Sequence, residues 1–210
     1  MEPGNPFRPE HFNRVDEAND SAFYLEPKLV THIDDAAIAS LSRFYGELIP
    51  QDSVVLDLMT SWVSHLPSSL TLEHLAGLGM NGEELAENPR LTERVVQDLN
   101  LNPVLPFDDQ RFDAAIVTVS VQYLTRPAEV FAEVGRVLKA GSPFAVAYSN
   151  RLFPTKAVAI WRSLGDREHA DLIAVYFRLS GRFAAAQAYD ISPGPGSDPM
   201  YVVVGRTLAG

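Results

Sequence analysis

The sequence predicts an α/β protein with one doubly wound sheet, because short apolar runs alternate with segments of helical spacing. Five of these runs read as strands of the alternating units, the first of them buried on both faces. The last two runs read as an antiparallel pair because only a Pro- and Gly-rich turn separates them. The predicted strands are residues 53–58, 74–79, 93–98, 113–120, 143–149, 183–191 and 200–205. We therefore expect a mainly parallel, seven-stranded sheet with helices on both faces and a terminal antiparallel hairpin.

Helices are predicted between these strands from their apolar spacing and their end signals. The first runs over 34–48, where Thr31 or Asp34 can cap its start and Pro50 ends it. Another begins at Pro127, whose fixed φ suits a first helical turn, and closes before Gly141. The remaining predicted helices are residues 81–88, 154–163 and 167–179.

The chain is expected to divide into a short N-terminal arm and one domain. Residues 1–30 are rich in Pro, Asn and acids, with scattered aromatic residues, which indicates an arm or lid lying against the body. Residues 31–210 carry the alternating pattern and form the predicted domain.

Composition excludes several classes of function. The chain has 17 Lys and Arg against 27 Asp and Glu, a net charge of −10, which disfavours binding to nucleic acid. It has no cysteine, which removes disulfides and thiolate chemistry, and its histidines are too scattered to predict a metal site. No secretory signal or membrane span is evident, so we expect a cytoplasmic protein with no membrane partner. The sequence does not indicate an oligomeric state.

Ligands of doubly wound sheets bind outside the carboxyl ends of the strands, where the strand order reverses. Polar residues at the predicted strand ends are therefore the candidate site. They are Asp57, residues 79–81, Asp98, residues 120–123 and residues 149–151.

A family resemblance rests on the middle of the chain. Residues 105–113 read L-P-F-D-D-Q-R-F-D, and residues 133–141 read E-V-G-R-V-L-K-A-G. These stretches resemble the L-P-F-x-x-x-x-F-D and E-x-x-R-V-L-K-P-G signatures of class I S-adenosylmethionine-dependent methyltransferases, of the type 11 group. The sequence S-W-V-S-H at 61–65 and residues 197–203 are also similar to a cyanobacterial and plant group described only as methyltransferase-like.

The resemblance implies a Rossmann-like methyltransferase fold, S-adenosylmethionine as cofactor, and in-line methyl transfer to an unidentified small molecule. It implies cofactor contacts from one set of residues and catalytic roles for Tyr123 and His65, with no metal. The implied cofactor residues are Asp57, Met59, Thr60, Ser61, Gly79, Met80, Asn81, Asp98, Leu99 and Ser120. Structural alternatives stay open: Asp57 and Asp98 could cap turns. Tyr123 could be ordinary packing, and His65 could be a satisfied surface histidine.

Two motifs depart from the family pattern. The first strand of the family ends in D-x-G-x-G-x-G, whereas Met59, Ser61 and Val63 fill the glycine positions here. Gly79 stands where the family has an acid that accepts both ribose hydroxyls. Loss of a hydrogen bond to a charged group, about 1.5–3 kcal/mol, predicts roughly tenfold to hundredfold weaker binding.

These departures keep a second hypothesis open. The chain is either a small-molecule methyltransferase or a non-catalytic, methyltransferase-like binding or scaffold protein that has lost cofactor affinity. Under the second hypothesis, Gly79→Asp is expected to create affinity. A nicotinamide-dependent oxidoreductase is disfavoured, because G-x-G-x-x-G does not follow the first strand.

Overall fold

The computed structural model describes residues 4–208, so the first three residues of the predicted arm and the last two of the predicted domain lie outside it. The helices are α1 Asp20–Phe23, α2 Asp35–Leu48, α3 Gly82–Glu87, α4 Pro127–Val137, α5 Ala159–Ser163 and α6 Asp166–Ser180, with short 3-10 turns at Pro9–Phe12 and Val121–Tyr123. The strands are β1 Ser53–Leu58, β2 Leu72–Gly79, β3 Glu93–Val96, β4 Ala114–Thr118, β5 Pro143–Tyr148, β6 Gln187–Asp190 and β7 Tyr201–Arg206.

The seven strands form one sheet in the order β3-β2-β1-β4-β5-β7-β6. Strands β1 to β5 pair in parallel, whereas β7 is antiparallel to both β5 and β6. This topology confirms the predicted fold class. The strand order reverses between β1 and β4, which places a crevice outside the carboxyl ends of these two strands.

Helices cover both faces of the sheet, because successive residues of a buried strand point to opposite sides. Val55 of β1 packs with Leu41 and Tyr45 of α2. The next residue, Leu56, belongs to the opposite core, where an aromatic cluster joins α4, β5 and α6. Phe131 and Phe144, for example, lie 5.0 Å apart, ring centroid to centroid, in an edge-to-face arrangement.

Several predicted elements are shorter in the structure than in the sequence analysis, among them the strand predicted over 113–120, which is only Ala114–Thr118. The third strand ends at Val96 and not at Asp98, and the strand predicted over 183–191 keeps only Gln187–Asp190. The helix predicted over 154–163 is only α5, because the backbone before it bonds to other parts of the chain. The Val158 amide donates to the Gln122 carbonyl oxygen at 3.0 Å, and the Ala159 amide donates to that of Asn13 at 2.8 Å.

The N-terminal segment, residues 4–32, lies against the body and is anchored by a buried ion cluster. Lys156 and Asp20 are 1% and 6% exposed, and their charged groups lie 3.0 Å apart. Arg14 Nη1 donates to both carboxylate oxygens of Asp20 at 2.6 and 2.7 Å. A buried charge is tolerated only when it is paired, so the cluster depends on this docking.

Within residues 4–208, no helix is long and apolar enough to span a bilayer.

Candidate functional site

A cavity of about 130 Å³ lies at the predicted edge of the sheet, between the strand ends and the N-terminal segment. Its floor comes from the ends of β1 to β4 and its cover from the segment between Asp20 and His32. The residues on the sheet side are Asp57, Met59, Thr60, Ser61, Trp62, Val63, His65, Leu78, Gly79, Met80, Gln97, Asp98, Leu99, Asn100, Thr118, Val119, Ser120, Tyr123 and Leu124. The remaining lining residues are Asp20, Tyr24, Lys28, Val30, Thr31, His32, Glu84 and Phe153.

The backbone around this cavity is strained. Within residues 4–208, five non-glycine residues have positive φ, and three of them, Met59, His65 and Val119, line the cavity. Met59 occupies the first glycine position of the family motif and has a φ of 55°. The loop therefore keeps the left-handed conformation in which glycine is usually found. Because Met59 has a Cβ, this conformation is sterically unfavourable here. Strain of this kind concentrates at functional sites.

Asp57 ends β1 as a buried carboxyl group. It is 1% exposed and accepts a hydrogen bond from the Thr60 hydroxyl at 2.7 Å. Burial raises its pKa to about 7, although the nearby Ser64 and Thr60 hydroxyls oppose the shift. A cationic group brought near Asp57 would favour its ionised form.

Gly79, at the end of β2, has no room for a side chain. A Cβ there would overlap the carbonyl oxygen of Thr60, whose amide donates to the Leu78 carbonyl at 2.9 Å. The β1 loop thus crosses β2 at the position of the family's acid. This contact argues against the expectation that Gly79→Asp would create affinity, because the new side chain would displace the loop.

Glu84 is a buried carboxylate at the cavity that the sequence analysis missed. It is 7% exposed, and its Oε2 accepts from the Ser61 hydroxyl at 2.5 Å. Its Oε1 accepts from the Lys28 backbone amide at 2.7 Å, across 56 residues of sequence. In the sequence, Glu84 is one of two adjacent acids in a first helical turn, a pattern that helix capping already explains.

The other residues implied for the cofactor divide into two groups. Met80, Asp98, Leu99 and Ser120 line the cavity, and the Ser120 hydroxyl is buried with no partner among residues 4–208. Asn81 does not line it. Its side chain caps α3 and donates to the Tyr24 and Leu25 carbonyl oxygens at 2.8 and 3.1 Å.

The two residues implied for catalysis both line the cavity, with Phe153 beside Tyr123. The Tyr123 hydroxyl accepts from the Phe153 backbone amide at 2.8 Å. Burial lowers the pKa of His65 to about 4, with a smaller contribution from His32, so its imidazole is neutral at pH 7. The His65 Nδ1 is buried and has no partner among the described residues.

Trp62 lies in the cavity wall. Its indole nitrogen donates to the Val30 carbonyl oxygen at 3.2 Å and so ties the β1 loop to the N-terminal segment. Among residues 4–208, no group of three or more acidic or histidine side chains could hold a metal ion.

The fold is that of the class I S-adenosylmethionine-dependent methyltransferases. A family model described as a methyltransferase domain matches residues 65–146. Together with the fold, this match confirms the resemblance found in the sequence. No curated protein matches the chain significantly.

Solved structures share the fold at low sequence identity. The [4+2]-cyclase SpnF is 15% identical, with 91% of this chain and 92% of that chain covered and a TM-score of 0.63. A Mesorhizobium loti S-adenosylmethionine-dependent methyltransferase is 16% identical, with 80% and 98% covered and a TM-score of 0.56. Haemonchus contortus phosphoethanolamine N-methyltransferase 2, in complex with S-adenosyl-L-methionine, is 12% identical, with 82% and 52% covered and a TM-score of 0.58.

Proposed function

We propose that the chain is an S-adenosylmethionine-dependent methyltransferase acting on a small molecule. The observation that carries the proposal is the cavity at the reversal of strand order. Nine of the ten residues implied for the cofactor line it, together with Tyr123 and His65. The methyltransferase-domain match covers part of the same region, whereas the solved structures support the fold alone.

The donor set fits an adenosyl compound with an amino acid end. Ser120 offers a buried hydroxyl that has no partner in the described part of the chain, and Asp57 offers a carboxyl group that an ammonium group would ionise. Each oxygen of Glu84 accepts one hydrogen bond and keeps a second lone pair. Glu84 is therefore the carboxylate available for the ribose hydroxyls, since Gly79 cannot supply one. When bound, the cofactor supplies a methyl group already activated on a sulfonium.

The chain's own contribution to methyl transfer would be positioning. Holding two reactants in an attacking geometry can lower a barrier by about 7–11 kcal/mol, so an elaborate catalytic apparatus is not required. Tyr123 is held in place by the Phe153 amide. The N-terminal segment covers the cavity and would exclude water from it.

Calorimetric titration with S-adenosylhomocysteine tests the proposal. We expect heat of binding and a rise in melting temperature at millimolar ligand. Glu84→Gln should weaken binding by about tenfold or more, because a charged acceptor is lost. Glu83→Gln, on the exposed side of the same turn, is the matched control and should bind like the wild type. Absence of binding by the wild type would contradict the proposal.

The second candidate is a non-catalytic binding or scaffold protein. It is favoured by the use of Asn81 and Glu84 to hold the N-terminal segment, which engages groups that a cofactor would otherwise meet. Transfer of a labelled methyl group from S-adenosylmethionine to any metabolite in an extract would exclude it. Absence of S-adenosylhomocysteine binding by the wild type would favour it.

A further inference from the structure

One part of the cavity is built around one aromatic side chain. The Phe153 ring lies 5.1 Å from the His32 ring at a steep angle and 6.0 Å from the Tyr123 ring, centroid to centroid. Phe23 packs edge-on behind it at 5.4 Å. We call the space beside Phe153, His32, His65 and Tyr123 the aromatic compartment. Such walls favour flat, apolar ring systems.

The aromatic compartment offers no free cation. Lys28 is the single Lys or Arg lining the cavity within the described part of the chain. Its ammonium group donates to the Phe23 carbonyl oxygen at 2.7 Å and lies 4.6 Å from the centre of that ring. Arg14 and Lys156, also nearby, are paired with Asp20 and do not line the cavity.

The acidic residues that line the cavity also disfavour an anionic acceptor. Asp20, Glu84 and Asp98 all reach the cavity wall. Asp20 is paired with Arg14 and Lys156, whereas Glu84 and Asp98 form no ion pair with the described residues. A carboxylate or phosphate on the acceptor would meet these two carboxylates, and like charges at close range are unfavourable.

His65 supplies the polar feature of the aromatic compartment. No hydrogen bond joins either of its ring nitrogens to the described residues, and Nδ1 is buried. An unpaired buried nitrogen costs free energy that a ligand donor can recover. Because the ring is neutral, it can accept a hydrogen bond from a hydroxyl group.

We propose that the aromatic compartment binds an uncharged, planar hydroxy compound, a phenol or an enol, as the methyl acceptor, with its hydroxyl group hydrogen-bonded to His65. This inference rests on the proposed function and names its acceptor class. An aliphatic amine does not fit, since it is protonated at pH 7 and neutral His65 is too weak a base to free its lone pair.

The transfer balances with this acceptor. The acceptor oxygen provides the electron pair of the new C–O bond, the pair of the broken C–S bond stays on sulfur, and a ring nitrogen of His65 takes the hydroxyl proton. A phenol has a pKa of about 10. His65 therefore takes the proton as the C–O bond forms and the oxygen becomes more acidic, not beforehand.

Binding of matched probes to the protein saturated with S-adenosylhomocysteine tests the acceptor class without turnover. The probes are 4-methylphenol, its methyl ether 4-methylanisole, the anion 4-hydroxybenzoate and the cation 4-methylbenzylamine. We expect 4-methylphenol to bind about threefold to tenfold more tightly than 4-methylanisole, the worth of one hydrogen bond. The anion 4-hydroxybenzoate should bind at least about tenfold more weakly than 4-methylphenol, and the affinity of the cation 4-methylbenzylamine should not fall in His65→Phe, because it carries no hydroxyl group for His65.

Two variants connect the preference to His65. His65→Phe keeps a flat ring without nitrogen, so 4-methylphenol should fall to the affinity of 4-methylanisole, which itself stays unchanged. His65→Gln keeps a polar acceptor and should retain part of the preference. Equal binding of phenol and ether by the wild type, tighter binding of 4-hydroxybenzoate, or an undiminished preference in His65→Phe would each overturn the inference.

The failure of this inference differs from failure of the proposed function. If the wild type does not bind S-adenosylhomocysteine, both fall together. If it binds S-adenosylhomocysteine and none of the four probes, the acceptor class alone is wrong.

Discussion

Two regions of the molecule treat their polar groups in opposite ways. The frame, residues 105–113 and 133–141, carries the sequence signature, and none of its buried side-chain polar atoms lacks a hydrogen-bond partner among residues 4–208. Arg136 donates to the Leu105 and Phe107 carbonyl oxygens at 2.9 Å each, and Glu133 accepts from the Leu105 amide at 3.0 Å. These bonds fasten the loop before β4 to α4, so the signature residues serve the fold.

The rim, residues 57–84, lines one side of the cavity. Its backbone is strained, and one of its buried side-chain nitrogens lacks a hydrogen-bond partner. Met59 and His65 have positive φ, and His65 Nδ1 has no partner among residues 4–208. Its carboxyl group Asp57 has a raised pKa through burial, whereas Asp113 in the frame has a lowered pKa because the Lys139 ammonium and the Val54 amide outweigh its desolvation. The comparison teaches that the recognisable segment stabilises the architecture, while strain and unpaired buried groups collect in the divergent segment beside the cavity.

The largest predicted effect is the dependence of the unfolding free energy on pH, which should have opposite signs for Asp57 and Asp113. The pKa of Asp57 is about 7 in the folded state against an ordinary 3.8, so from pH 4 to pH 7 the unfolded state ionises first and stability falls. A shift of one pKa unit corresponds to about 1.4 kcal/mol, so the unfolding free energy should fall by about 4 kcal/mol over this range. Asp57→Asn should remove it, giving a flatter profile of unfolding free energy against pH in urea titrations.

Asp113→Asn is the control from the frame. The lowered pKa of Asp113 contributes stability above pH 4 that is lost as pH falls, so this variant should be destabilised at pH 7 and much less so at pH 3. Profiles of the same shape for the two variants would contradict the distinction between rim and frame.

Gly79→Asp should destabilise the protein by about 3 kcal/mol, the cost of overpacking. Its Cβ would collide with the Thr60 backbone, which cannot move without disturbing β1 and β2. The same change three residues on, Gly82→Asp, should be nearly neutral, since the nearest atom to a Cβ there is Val96 Cγ2 at 3.5 Å. Chemical denaturation measures both, and a gain of cofactor affinity in Gly79→Asp would refute the steric reason for the missing acid.

Arg136→Ala should destabilise the protein by about 2–3 kcal/mol, because two carbonyl groups lose a charged donor. Binding of S-adenosylhomocysteine at a temperature where the variant is folded should stay within about twofold of wild type. Arg136→Lys keeps the positive charge and should recover part of the stability. Recovery should be incomplete, because an ammonium group cannot reach both carbonyl oxygens in the same geometry. Loss of affinity without loss of stability would show that the signature acts on the site.

Sequence reasoning located the sheet and the edge that holds the cavity because both follow from local patterns. Alternating apolar runs fix the strands, and polar residues at their ends mark the edge. It missed Glu84 and Phe153 because their roles arise from long-range contacts, such as the bond between Glu84 and the Lys28 amide. It also gave no sign that Lys156 is buried, since the partners of this residue lie some 140 positions away in the chain.

The smallest predicted effect tests whether the rim still tolerates glycine where the family has it. Met59→Gly relieves a left-handed backbone worth about 1 kcal/mol and removes a half-buried side chain, so the unfolding free energy should change by less than about 1 kcal/mol. S-adenosylhomocysteine should bind about threefold to tenfold more tightly, because a side chain leaves the cavity. Asp52→Gly, at a φ of 58° in an exposed turn away from the cavity, is the control and should leave affinity unchanged. Weaker binding by Met59→Gly would mean that the methionine side chain itself contacts the ligand. In that case the side chains that replace the family's glycines in the rim would support cofactor binding and not obstruct it.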